Sequence, residues 1–161
     1  MRLSTRGRYA VMAMVELAAR QQDCGEGGRV SLGEIAEAQA LSLAYLEQLF
    51  GNLRRSGLVG GARGPGGGYR LARPAESIAI ADIADAVEEP LRATRCEENS
   101  PGCLAGRRCL THDLWFELGA HLRSFLAGVT LADVVAGRVA GRAGSPLPVA
   151  AFSAVAVAVA D

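Results

Sequence analysis

The sequence has no lysine: all seventeen of its basic residues are arginine. Arginine's planar fork suits phosphate contacts, but a biased genome composition would give the same usage, so the absence alone assigns nothing. Before the C-terminal tail there is no strongly apolar run of about eighteen residues, the length a membrane helix needs. No apolar leader precedes the first helical stretch, so the expected location is the cytoplasm and structural disulfides are not expected. The chain also lacks a Gly-x-x-x-x-Gly-Lys frame, a Ser-His-Asp set and a Cys-x-x-Cys pair. Nucleotide hydrolysis, nucleophilic catalysis and dithiol exchange therefore have no residues to carry them, and the chain is not read as an enzyme. No internal repeat is present.

The chain has 161 residues, half of them apolar, which is enough for one or two small domains with a real core. Its net charge of zero hides a split. Residues 1–73 hold ten arginines against six acids, and residues 74–161 hold seven against eleven. The first part is therefore at +4 and the second at −4, and a polyanion would dock on the first.

Residues 5–22 read as a helix capped by Ser4, with Tyr9, Met12, Ala13 and Leu17 on its apolar face and Arg2, Arg6 and Arg8 clustered at its start. Ser31-Leu-Gly-Glu34 matches a capping box that opens a helix over 32–39. After a turn at Ala40 and Leu41, Ser42 is placed to cap a second helix reaching Arg55, with Leu43, Leu46, Leu49, Phe50 and Leu53 as its stripe. Gly57 sits where a left-handed residue would end that helix. Two short helices joined by a tight turn form a helix-turn-helix, with 43–55 as the recognition helix. Residues 58–62, the glycine-rich Arg63–Gly68 and Tyr69–Leu71 form strand, tip and strand, which is a wing. Gly66 and Gly67 would let backbone approach DNA closely, and Arg63 at the wing's base could enter a minor groove. A tight hairpin with one exposed arginine is the plain alternative.

Pro74 breaks the hairpin. A connecting helix over 80–88 follows, and then a loop rich in Pro, Gly and polar residues. That loop carries Cys96-x6-Cys103-x5-Cys109-x2-His112, three of the four cysteines and one of the two histidines within seventeen residues. Thiolate and imidazole donors suit soft or borderline metals and iron–sulfur clusters. Structural zinc usually takes tighter Cys-x2–4-Cys hooks, so the wide gaps lean toward a larger cluster and leave zinc open. Cys24 reads as an incidental thiol and His121 as a surface or packing residue. Thr111–Leu126 reads as a long helix whose line of Leu114, Leu118, Leu122 and Phe125, with Trp115 and Leu126 beside it, exceeds what a small domain needs. Part of it is expected to form a dimer seam, and packing onto the N-terminal half is the alternative. Thr130-x-x-Asp133 resembles a capping box for a short last helix.

The chain thus divides into 1–73, a winged helix-turn-helix; 74–92, a connecting helix; 93–112, a cluster-binding loop; 111–136, a dimerisation helix with a short C-terminal helix; and 137–161, a Pro/Gly-punctuated segment read as a disordered tail. The expected fold is mainly α with a small β wing.

Met1–Val11 (MRLSTRGRYAV), Ser42–Phe50 (SLAYLEQLF), Arg63–Tyr69 (RGPGGGY), Ala93–Cys96 (ATRC) and Arg108–Trp115 (RCLTHDLW) together resemble the IscR-type iron–sulfur cluster regulators over residues 1–135. The resemblance implies a homodimeric winged-helix transcription factor, acting as repressor or activator on double-stranded DNA. It also implies a 2Fe–2S cluster held by Cys96, Cys103, Cys109 and His112, with iron–sulfur biogenesis genes as targets and assembly proteins as further partners. A zinc-stabilised regulator, or a nitric-oxide- or redox-sensing one of the same fold, is the alternative. On this reading Arg2, Arg6, Arg8, Arg54 and Arg55 contact phosphates, and Ser42, Tyr45, Glu47 and Gln48 lie at the base edges. Glu47 is the informative residue, because a carboxylate in a groove is tolerated where it accepts a hydrogen bond, for example from cytosine N4.

Overall fold

A computed structural model of the chain describes residues 4–24, 28–62, 64, 67–87 and 107–141, without the side chain of Cys24. Their elements are α1 (Thr5–Cys24), α2 (Leu32–Gln39), α3 (Leu43–Arg55), β1 (Val59–Ala62), β2 (Gly68–Leu71), a 3-10 turn (Ala75–Ser77), α4 (Ile80–Val87), α5 (His112–Ala127) and α6 (Leu131–Val135). The expected mainly helical fold with a small antiparallel wing is the fold found.

Local chemistry sets the helix ends. The Ser4 hydroxyl accepts from the Gly7 amide at 3.3 Å and opens α1. The predicted capping boxes are both present: Ser31 with Glu34 on α2, and Thr130 with Asp133 on α6. Gly57, at φ +70°, ends α3. There the Leu58 amide reaches back to the Leu53 carbonyl at 3.0 Å and the Gly57 amide to Arg54 at 3.1 Å. This double closure satisfies otherwise orphaned helix carbonyls, and Leu53 and Leu58 are both buried beside it. Ser42 stands at the N-cap of α3 with extended backbone, but its hydroxyl makes no capping bond, so the expected cap is positional only. α2 ends on Ala40 in the left-handed region at φ 50°, a conformation glycine usually supplies.

The wing is a two-stranded antiparallel sheet in register from Val59–Leu71 to Ala62–Gly68. Its base is tied to the body three ways. Val30 and Tyr69 exchange backbone hydrogen bonds at 2.9 and 2.8 Å. The Tyr69 ring stands edge-on to Phe50 of α3, with centroids 4.8 Å apart. The Gln21 side chain of α1 accepts from the Leu71 amide at 2.8 Å and donates to the Gly28 carbonyl at 3.2 Å. Gly68, at φ +152°, must be glycine, since a Cβ there would sit 2.7 Å from the Val30 carbonyl oxygen.

One core joins Ala10, Ala13, Met14 and Leu17 of α1, Ile35 of α2, and Leu46, Leu49, Phe50 and Leu53 of α3. Ile78, Ile80, Ile83 and Val87 around α4, and Val129 and Leu131 before and in α6, complete it. The chain returns to that core through backbone bonds from the Ile80 amide to Val129 at 2.9 Å and from the Leu131 amide to Ile78 at 2.8 Å. Two sequence expectations shift. Met14 rather than Met12 is fully buried in α1, whose apolar residues run round more than one face. Leu43, expected in the stripe of α3, is 47% exposed. The tail beyond residue 141 lies outside the described residues.

Candidate nucleic-acid interface and cysteine–histidine segment

α2, the left-handed turn at Ala40 and α3 form a helix-turn-helix, and the wing follows directly. The buried side of α3 anchors it on the core. Its other side leaves Ala44, Glu47, Gln48, Arg54 and Arg55 exposed. A spacing of four residues aligns Leu43 with Glu47 and Ala44 with Gln48, about one turn apart. Tyr45 is half-buried, with its ring edge-on to Tyr9 of α1 at 6.0 Å between centroids and an interplanar angle of 87°. The Arg8 guanidinium lies 5.4 Å from the centre of the Tyr9 ring. The first turn of α1, with Arg6 and Arg8 exposed, is thereby joined to α3 through two aromatic rings. Tyr9 had no assigned role in the sequence beyond its place on an apolar face, and its contact with Tyr45 spans two helices.

Arg55 donates to the Asn52 side-chain oxygen. Arg54 lines a cleft of about 290 Å³ between the start of α2 and the wing, with Ser31, Leu32, Gly64, Gly67 and Tyr69 among its other walls. Gly67 closes the wing tip through its amide on the Gly64 carbonyl at 2.8 Å. The start of α2 is electrostatically set: Ser31 donates to the Glu34 carboxylate from its hydroxyl at 2.7 Å and from its amide at 2.8 Å. These bonds hold the Glu34 carboxyl below its ordinary range. α1 and α2 are further tied through Glu16, which accepts from Arg20 at 2.6 Å and from Gln39 at 2.8 Å. Of the expected DNA contacts, Arg2, Arg63 and Gly66 lie outside the described residues.

Cys109 and His112 stand at the entrance to α5. The His112 amide donates to the Cys109 carbonyl at 3.0 Å, which folds the two into one turn. Cys109 is half-buried, with its sulfur 3.4 Å from the Thr111 hydroxyl, and His112 is only 2% exposed. Cys96 and Cys103 lie outside the described residues. Among the described residues, no group of three or more His, Cys, Asp or Glu side chains is placed to hold a metal. His121 is exposed on α5, as expected of a surface histidine.

Beyond His112, α5 buries little of its apolar surface. Phe125 and Leu126 pack on the core, while Leu114, Trp115 and Leu122 stay exposed. α5 is fixed to α4 by Arg123, which grips Asp85 with two bonds of 2.9 and 2.7 Å. That pairing raises the Arg123 guanidinium above its ordinary value. On the near side of α4, Asp82 accepts from Arg73 at 2.6 Å and from the Ala79 amide at 3.3 Å. Among the described residues no helix is long and apolar enough to cross a membrane.

Comparison with known proteins agrees with this architecture. The Rrf2 family of iron-dependent transcriptional regulators matches residues 3–137. The HTH-type transcriptional regulator IscR of Yersinia pseudotuberculosis is 50% identical over 135 residues, covering 84% of this chain and 79% of its own. Among solved structures, T. potens IscR superposes with a TM-score of 0.67 at 38% identity, covering 86% of this chain and 88% of its own. CymR of B. subtilis, a global cysteine regulator, gives 0.69 at 33%, covering 85% and 98%. These relatives are regulators of transcription and not enzymes. The helix-turn-helix, the wing and the match over residues 3–137 lead to one conclusion: the chain belongs to the Rrf2 family of transcriptional regulators.

Proposed function

We propose that the chain is a homodimeric DNA-binding regulator whose choice of sites is governed by a 2Fe–2S cluster held by Cys96, Cys103, Cys109 and His112. Its targets on this reading are genes of iron–sulfur cluster biogenesis, its further partners are the assembly proteins that supply clusters, and it works in the cytoplasm. The observation that carries the reading is the pairing of two features on one helix. A buried histidine, with a cysteine one turn before it, opens α5, and the same helix then presents Leu114, Trp115 and Leu122 to solvent. A ligand donor and a partner-seeking face are thus rigidly linked.

The donor set fits the group: three thiolates and one imidazole suit iron–sulfur ligation. A cluster held this way supplies a group that can be gained, oxidised or lost. The residues do the rest. His112 would offer a neutral ring nitrogen as its donor. Arg123 carries any shift of α5 to Asp85 of α4, and α4 shares the core of α1 and α3. Exposed apolar residues on α5 favour a second copy of the chain, which would set the distance between two α3 helices and their half-sites. Arg6, Arg8, Arg54 and Arg55 then contact phosphates with Arg2. Arg63 and the glycines Gly66 and Gly67 bring the wing against the groove. Ser42, Tyr45, Glu47 and Gln48 face the bases.

The test is purification of the full chain without oxygen. The reading expects sulfur-to-iron charge-transfer colour and bound iron. A colourless protein containing zinc would instead support a zinc-stabilised regulator. Duplex selection from a random library should then yield different sites for cluster-loaded protein and for the Cys96→Ala, Cys103→Ala, Cys109→Ala triple variant. Identical sites would remove the cluster from the mechanism and leave DNA binding intact.

A further inference from the structure

We infer that Leu43 is a specificity residue that reads a thymine C5-methyl group in each half-site. This rests on the reading of α3 as the recognition helix and goes beyond its polar contacts. Helical spacing puts Leu43 on the same stripe as Leu46, Phe50 and Leu53, all of which are fully buried, yet Leu43 is 47% exposed. The residues on either side of it, Ser42 and Ala44, are exposed too, so α3 opens clear of the core before Tyr45 and Leu46 pack onto it. An unsatisfied apolar side chain is thus held at the tip of an otherwise polar reading surface, one turn before Glu47.

In helix-turn-helix proteins the N-terminal residues of the second helix meet the base edges. The major groove offers hydrogen-bond donors and acceptors at every base pair but only one apolar feature, the thymine methyl. A leucine there would meet unpaired polar atoms at a G·C pair and a matching surface at a thymine. The exposed methyl of Ala44 widens the same apolar corner without reaching as far. Glu47 and Gln48, one turn on, supply the hydrogen-bonding half of the readout. Leucine and carboxylate would therefore read adjacent positions by different chemistry.

The experiment uses the full-length chain and the duplex it selects from a random library. Each thymine of the selected site is replaced in turn by uracil, which removes the methyl group and leaves the Watson–Crick pair unchanged. The wild-type protein should lose about four-fold in affinity at one thymine per half-site, the value of one buried methyl group. Leu43→Ala should bind the thymine and uracil duplexes alike, and Leu43→Met should retain the discrimination. Thermal melting and sedimentation of both variants should match the wild type, because Leu43 lies outside the core. The inference falls if no thymine responds to uracil, if the four-fold loss persists in Leu43→Ala, or if that variant dissociates into protomers. The underlying reading fails differently. If Glu47→Ala and Gln48→Ala leave the selected site unchanged, α3 is not the reader. If they alter it while uracil has no effect, only the role of Leu43 is rejected.

Discussion

α3 and α5 are both amphipathic helices of this chain, and they spend their apolar faces in opposite ways. α3 buries Leu46, Leu49, Phe50 and Leu53 within the chain's own core and turns charge and amide groups outward. α5, three residues longer, has only His112 fully buried and turns Leu114, Trp115 and Leu122 outward. A helix that satisfies its apolar face at home is free to present polar groups to a nucleic acid. A helix that does not leaves apolar surface open to a partner. On the proposed function, base reading and pairing would thus be separated onto two helices, with Arg123–Asp85 tying α5 to α4 between them.

The sharpest way to break the contrast is to attack the two helices where each should be strong. Phe50→Ala opens a cavity under α3 and removes the ring that holds Tyr69 of the wing. It should cost about 3–5 kcal/mol, read as a lowered urea midpoint, and weaken DNA binding in proportion to the fraction unfolded. Leu114→Arg with Leu122→Arg should leave the protomer's own fold intact, because both positions are already exposed. If the chain pairs through α5 as proposed, sedimentation should show a single copy where the wild type shows a dimer, with affinity for a two-half-site duplex reduced about a hundred-fold, while single half-site binding persists. If the double variant stays dimeric, α5 is not the seam.

The same contrast explains what could be read from the residues alone. Both capping boxes and Gly57 were legible because their chemistry is local: donor and acceptor lie within a few positions. The helix-turn-helix and wing followed from those punctuation marks and the stripes between them. Leu43 was misplaced because periodicity tells which side a residue faces and not how far the core extends along the helix. Periodicity does not separate Met12 from Met14, because α1 is apolar round much of its circumference. Gln21 and Gly68 gave no signal, since one bonds a strand fifty positions away and the other is constrained by Val30. The cysteine–histidine segment was legible as donors, and Cys109 and His112 do meet in one turn. Cys96 and Cys103 lie outside the described residues.

A smaller effect tests the link itself. Arg123 and Asp85 are both substantially exposed, 49% and 34% at the side chain, so solvent screens their pairing. Asp85→Ala should shift stability by less than about 1 kcal/mol. If α5 governs α3 through α4, the substitution should nonetheless shrink the difference between the sites selected by cluster-loaded protein and by the triple cysteine variant. An unchanged difference would route the coupling through the apolar contacts of Phe125 and Leu126 instead.

The smallest effect falls on the reading side alone. Hydrogen bonds from Ser31 keep the Glu34 carboxyl below its ordinary range, with Arg20 at 3.9 Å adding to them. A carboxyl whose value is lower in the folded chain than in the unfolded one contributes fully above the unfolded value, and the contribution fades as the pH falls through the folded one. Acidification below the ordinary carboxylate range should therefore loosen the start of α2, on which the turn at Ala40 and the placement of α3 depend. The Glu34 side chain is 54% exposed, so the gain at neutral pH stays below about 0.5 kcal/mol. Glu34→Gln keeps an oxygen for the Ser31 amide and removes the titration. Its urea midpoint should fall less between neutral and acidic pH than that of the wild type, and an equal fall in both would mean that the capping carboxylate does not contribute to acid sensitivity.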